Sequence, residues 1–84
     1  MKEFTTTDLY MAAYLKASQV PFLDTRIKKE GRKRQVIFVF DDSMDMVKDL
    51  KNQYFNRKAK VPALTYVDEI RAMKSLTHDV SSEE

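Results

Sequence analysis

Six basic side chains crowd one short stretch of the chain: Arg26, Lys28, Lys29, Arg32, Lys33 and Arg34. Lysine and arginine at this density attract phosphates, and each phosphate they neutralise releases counterions and steepens the salt dependence of binding. Lys48 and Lys51, and after them Arg57-Lys58-Ala59-Lys60, extend the patch if folding brings them to the same face. A solvated hairpin tip is the competing account, because edge lysines also keep strands from pairing with other chains. The charge is unevenly spread. From Arg26 to Lys60 there are eleven Lys/Arg against five acids, and the rest of the chain has four against eight, so a net charge of +2 conceals a polarised sequence.

Other chemistry finds little to work with. His78 is the single histidine and falls in the expected tail, whereas a catalytic triad needs a fixed imidazole. One glycine, Gly31, is too few for a phosphate-cradling loop. There is no cysteine, which excludes disulfides and thiolate metal sites and fits a reducing, cytoplasmic setting. Asp41, Asp45 and Asp49 fall at i, i+4 and i+8, a spacing that would line one helix face and could hold Mg²⁺ with water. Acids there would equally complement a helix dipole and pair with Lys48 and Lys51. The tyrosines and Phe55 read as core packing rather than stacking platforms. The expectation is therefore no catalytic residue, no metal and no cofactor, and a chain that is not an enzyme.

The elements that must position the basic run follow from periodicity. Thr5 as N-cap with Asp8 at the third helical position suggests a capping box, and Phe4 with Leu9 a hydrophobic staple, so a first helix is expected over residues 6–18. That helix is more apolar than a one-sided surface helix requires: it is packed on two sides within the monomer, or it meets another chain. Pro21 ends it. Residues 22–28 read as a half-exposed strand, and Val36-Ile37-Phe38-Val39-Phe40 as an apolar one, with Gly31 in the turn between them. Both faces of the second strand are apolar, and a lone two-stranded hairpin is marginal in water. A second helix is expected from Asp41, Asp42 or Ser43 to about Asn56, with Met46, Val47, Leu50 and Tyr54 as its stripe. Pro62 starts a third, in which Tyr66, Ile70 and Met73 recur at helical spacing. Leu23, Ile27, Val36, Phe38, Phe40 and Val67 are expected among the core. After Leu76 no packing pattern continues, so residues 1–76 form one small domain and 77–84 a disordered tail. No stretch approaches a membrane span.

Phe4-Thr5-Thr6-Thr7-Asp8-Leu9-Tyr10-Met11-Ala12-Ala13 resembles the opening of a family of small bacterial and phage proteins catalogued as a domain of unknown function. Phe38-Val39-Phe40, Tyr54-Phe55-Asn56 and Lys74-Ser75-Leu76 match later pieces of the same pattern, which spans roughly Phe4 to Leu76. The long basic turn departs from it. The resemblance implies a fold and a cytoplasmic setting, and no activity, ligand or catalytic residue.

The fold expected is α+β, in the order α-β-β-α-α, with a two-stranded antiparallel hairpin packed against three helices. The leading functional expectation is a non-enzymatic accessory or protein-interaction domain, self-associating through helix one or the free strand edge. The alternative is a nucleic-acid binder using Arg26, Lys28, Lys29, Arg32, Lys33 and Arg34, with Lys48 and Lys51. No membrane or small-molecule substrate is expected.

Overall fold

The computed structural model describes residues 2–82, with side chains described as far as residue 78. Its elements are β1 (Glu3–Thr6), α1 (Leu9–Ala17), β2 (Phe22–Glu30), β3 (Lys33–Asp41), α2 (Val47–Phe55) and α3 (Ala63–Ser82). The three strands form one antiparallel sheet in the order β1-β3-β2. The class is α+β as expected, but the order is β-α-β-β-α-α and the hairpin has a third strand.

That strand is the main correction. Phe4-Thr5-Thr6 are aromatic and β-branched, which suits a pleated surface, and they pair with the end of β3 as Phe4↔Phe40, Thr5↔Val39 and Thr6↔Phe38. Thr5, read as the helix cap, and Phe4, read as part of the staple, therefore belong to the sheet. Asp8 is the N-cap of α1, accepting from the N–H groups of Tyr10 and Met11 at 3.0 and 3.3 Å, and Thr6 Oγ1 accepts from the Asp8 N–H. At the other end Gln19 adopts φ 70°, Val20 N–H donates to Leu15 O and Gln19 N–H to Lys16 O. This is a Schellman closure, and it turns the chain toward β2 with Val20 and Leu15 both buried.

The helices cover one face of the sheet. Phe38 and Phe40 are buried on that face, with Phe4, Phe22 and Val36 packed beside them. Met11 to Leu15 are all buried, because α1 meets β1, α3 and, through Tyr14 on Tyr54 (ring centroids 5.3 Å apart), α2. Most of the surplus apolar surface of the first helix is thus consumed within the monomer, and Tyr10 stays 49% exposed. Leu23 and Val67, expected in the core, are 41% and 40% exposed. For Leu23 the reason is a bulge: the register jumps between Phe22↔Phe40 and Asp24↔Val39, leaving Leu23 without a cross-strand partner.

α2 begins at Val47, later than expected, because β3 runs on to Asp41 and a turn occupies residues 42–46. Buried Asp42 organises that turn. Its Oδ1 accepts from Met46 N–H at 2.9 Å and Val47 N–H at 3.1 Å, and its own N–H donates to Lys2 O at 2.7 Å. The carboxylate thereby caps the start of α2, and the backbone N–H of the same residue ties the turn to Lys2, just before β1. α3 follows Pro62, and its backbone takes in residues 77–82 of the stretch expected to be a tail, with Thr77 Oγ1 donating to Met73 O at 2.8 Å. Positions 83–84 of that stretch lie outside the described residues. Among the described residues no helix is long and apolar enough to cross a membrane.

Candidate nucleic-acid interface

β2 and β3 pair without interruption from Asp24↔Val39 out to Glu30↔Lys33. The turn between them is Gly31-Arg32, with Gly31 at φ +59°, the first-position glycine that a type II′ hairpin turn requires. The body of the molecule stops before the ladder does. Val36 and Phe38 border a cavity shared with Leu9 and Thr77, so the helices still reach that rung. Beyond it, every residue from 28 to 35 is exposed. Three rungs, about 10 Å of ribbon at ~3.3 Å per residue, project as an arm. The arm holds Lys28, Lys29, Arg32, Lys33 and Arg34 against the single acid Glu30.

Strand alternation splits these residues between two faces. Arg26, Lys28, Glu30, Lys33 and Gln35 point to the open face of the sheet. Lys29 and Arg34 point to the helix side, where the register places them directly opposite each other. On the open face the charges are matched. Arg26 of β2 reaches across β3 to Glu3 of β1, 3.1 Å from Oε2 and 3.2 Å from Oε1. Lys28 lies 3.0 Å from Glu30, and Lys33 faces Glu30 across the ladder. The Arg26–Glu3 bridge also answers why the back of the apolar strand tolerates water. It spans the row in which Val39 sits between Thr5 and Asp24, and Val39 is only 1% exposed.

Lys48 and Lys51 are not part of this surface. Lys51 Nζ sits 5.3 Å from the centroid of the Phe4 ring, and Phe4 pairs with Phe40. Six residue steps along β3 separate Phe40 from Arg34, about 20 Å of strand. Both lysines border a cavity of about 260 Å³ with Phe4, Asp42, Val47 and Asn52, at the opposite end of the sheet from the arm. The eight expected binding residues therefore divide into an arm group, the compensated Arg26, and a distant α2 pair. Sequence reasoning did not single out two contributors: Gln35, exposed on the arm opposite Lys28, and Glu3, whose role depends on a strand that the sequence reading had assigned to a helix cap.

The remaining candidates are placed elsewhere. Asp41, Asp45 and Asp49 share no helix face, since only Asp49 lies in α2. Asp41 accepts from the Ser43 hydroxyl and from its N–H at 2.9 Å, and these hydrogen bonds hold its pKa below the ordinary carboxylate value. Asp45, at φ 54°, takes the Lys2 ammonium, whose pKa is raised by that contact. Among the described residues no three His, Asp or Glu side chains gather closely enough to hold a metal ion. His78 is exposed on α3. What the arm can do chemically is present fixed cations on a ribbon narrow enough to enter a nucleic-acid groove. It has no aromatic side chain from residue 23 to 37 on which a base could stack.

The chain matches the family model described as a domain of unknown function, DUF5659, over residues 1–78, and it belongs to that family. No curated protein and no solved structure matches it.

Proposed function

We propose that the domain is a non-catalytic binding module that contacts nucleic acid through the projecting hairpin of β2 and β3. The observation that carries this reading is the arm itself: eight consecutive exposed residues, five of them basic and one acidic, held on a paired ribbon beyond the reach of the helices. The test is a titration of labelled double- and single-stranded oligonucleotides at two salt concentrations. A variant with Lys28, Lys29, Arg32, Lys33 and Arg34 changed to Ser is run beside the wild type. The expected result is micromolar binding to duplex with a log–log salt slope of about −2.7 to −4.5, as three to five neutralised phosphates give, lost in the variant. Absence of binding at low salt would retire the reading.

A second reading, a protein-interaction domain that associates with itself or a partner, keeps one observation in its favour. Met44, Phe55 and Leu64 are 76%, 67% and 80% exposed. Helix one adds only Tyr10, 49% exposed, since Met11 to Leu15 are buried within the monomer. The sheet edges give it little support. β1 is four residues long, and β2 carries a bulge, three basic residues and an Asp24 carboxylate that accepts from the Thr25 N–H at 2.8 Å. These are devices that discourage strand addition. Sedimentation of the wild type beside Phe55→Ser/Leu64→Ser checks this reading. A wild-type dimer that the double variant dissolves would favour it, and a concentration-independent monomer would count against self-association.

A further inference from the structure

Phe55, which the sequence places in the core, stands 67% exposed at the corner between α2 and α3. Its ring leans edge to face on Tyr54, centroids 5.5 Å apart, and Tyr54 packs in turn on buried Tyr14. The ring is thus braced on one side with most of its surface open. α2 closes through Arg57 at φ 59°: the Arg57 N–H donates to Tyr54 O and the Lys58 N–H to Gln53 O, a Schellman pair that turns the chain across the helix end. Ala59 and Val61 then pin the connector to the core, while Arg57, Lys58 and Lys60 are exposed around them. The charge of this corner has one sign. Residues 50–67 contain no acid, and among the described residues Arg57, Lys58 and Lys60 enter no ion pair. The corner is also remote from the arm. Thr77 of α3 borders the cavity at the root of the arm, and Leu64, in the first turn of α3, lies thirteen residues earlier, about 20 Å at 1.5 Å per residue.

We infer that the corner formed by Phe55, Arg57, Lys58 and Lys60 is a contact site for single-stranded nucleic acid, with a base stacked on Phe55 and the backbone phosphates on the three cations. Single strands are gripped by this combination, a cationic track beside an aromatic face. The arm supplies cations without an aromatic, so the two surfaces suit different forms of nucleic acid. The site goes beyond the arm and does not depend on it. A protein or lipid partner would use the apolar area of Phe55 whatever the shape of the side chain, whereas a base needs the flat π face.

The chain has no tryptophan, so Phe55→Trp places a single fluorophore at the corner. It is titrated at low salt with an oligothymidylate of about 12 nucleotides, within the usual span of such sites. Beside it are run the wild type, Phe55→Leu, Phe55→Ser, Arg57→Ser/Lys58→Ser/Lys60→Ser and the variant with the five arm bases changed to Ser. Every substituted corner residue is exposed, so thermal unfolding should show wild-type midpoints for the corner variants. The expected result for Phe55→Trp is quenched indole emission on binding, with at least wild-type affinity. Phe55→Leu and Phe55→Ser should each lose about tenfold or more. The triple variant should lose a similar amount, with a salt slope shallower by about two, as three phosphates of a single strand give. The arm variant should keep its single-strand affinity within about threefold. Full affinity in Phe55→Leu, or unchanged emission from Phe55→Trp, would overturn the stacking site. Single-strand binding that disappears with the arm bases and survives every corner variant would move the contact to the arm. A wild type that binds duplex but no oligothymidylate would sink the corner and leave the arm standing.

Discussion

The two ends of the sheet use the same ladder for different ends. At one, Phe4, Phe40 and Phe22 from three strands lie side by side on one row, the Phe22 and Phe40 rings 5.4 Å apart edge to face, under a helix that is buried for five consecutive residues. At the other, Lys28 to Gln35 touch solvent on both faces and are held by strand pairing and the turn. Position along β3 thus decides whether a side chain contributes to folding or is available for binding, and the two roles can be separated by mutation. Phe40→Ala probes the first end most severely. Removing a fully buried aromatic ring costs about 3–5 kcal/mol, a large share of the stability open to a chain this short. Arg34→Ala at the second end is expected to stay within about 0.5 kcal/mol. Urea unfolding of the two variants should show a collapsed midpoint for one and a near-normal midpoint for the other. Similar losses would mean that the arm is packed and that the division is false.

The next effect tests whether the packed end depends on its polar anchor as well as its rings. Asp42 is the one buried charged side chain among the described residues, and it caps α2 through two backbone N–H groups. Asp42→Ala is expected to cost about 1–2 kcal/mol, the range for loss of a helix cap. Asp42→Asn should recover much of this. Circular dichroism with urea unfolding would register both, and a neutral Asp42→Ala would show that Met46 and Val47 find water instead.

Most elements were legible in the sequence because their signals are local. The hairpin follows from β-branched and aromatic runs around the only glycine, α1 from its apolar density, and α3 from Pro62 and the spacing of Tyr66, Ile70 and Met73. What escaped were choices that local rules leave open. Phe4-Thr5-Thr6 fits both the lead-in to a helix cap and a strand, and the long-range pairing with β3 decides for the strand, leaving the cap to Asp8. Asp41, Asp42 and Ser43 are all acceptable caps, yet the cap that forms works from Asp42 across a turn. Of the candidate site, the basic residues were plain from composition. Their division between faces was not, since it requires the register, and the neutralisation of Arg26 requires β1 to be in the sheet.

At the exposed end, Gly31 carries the turn. A Cβ there would meet nothing within 4 Å, so Gly31→Ala has no steric clash and only the cost of the left-handed conformation, about 1–2 kcal/mol. Because the arm is outside the core, the cost should appear as local opening. Hydrogen exchange is expected to speed up at the amides of residues 28–35 while Phe38 and Phe40 keep their protection, and Gly31→Asn should lie between Ala and wild type. Loss of protection along the whole of β3 would mean that the two ends unfold as one.

Between the ends, the Arg26–Glu3 bridge crosses the open face over Val39. Both side chains are substantially exposed, so a double-mutant cycle to Ala should give only ~0.2–1 kcal/mol, shrinking as salt is added. A coupling that survives high salt would instead indicate that the bridge works by shielding Val39.

The smallest effect lies where β3 leaves the sheet, opposite the arm. Asp41 accepts from the Ser43 hydroxyl and backbone N–H, which lower its pKa in the folded state. A carboxylate with a depressed native pKa binds protons more readily when unfolded. Its contribution is complete above the unfolded value, about pH 4, and is lost as pH falls through the native one. Ser43→Ala removes the hydroxyl donor, so the variant should be slightly less stable than wild type at pH 7, and the gap should close on acidification below pH 4. Urea midpoints at pH 7, 5 and 3 would follow it. A gap that is constant with pH would mean that the hydroxyl stabilises the turn without regard to the charge on Asp41.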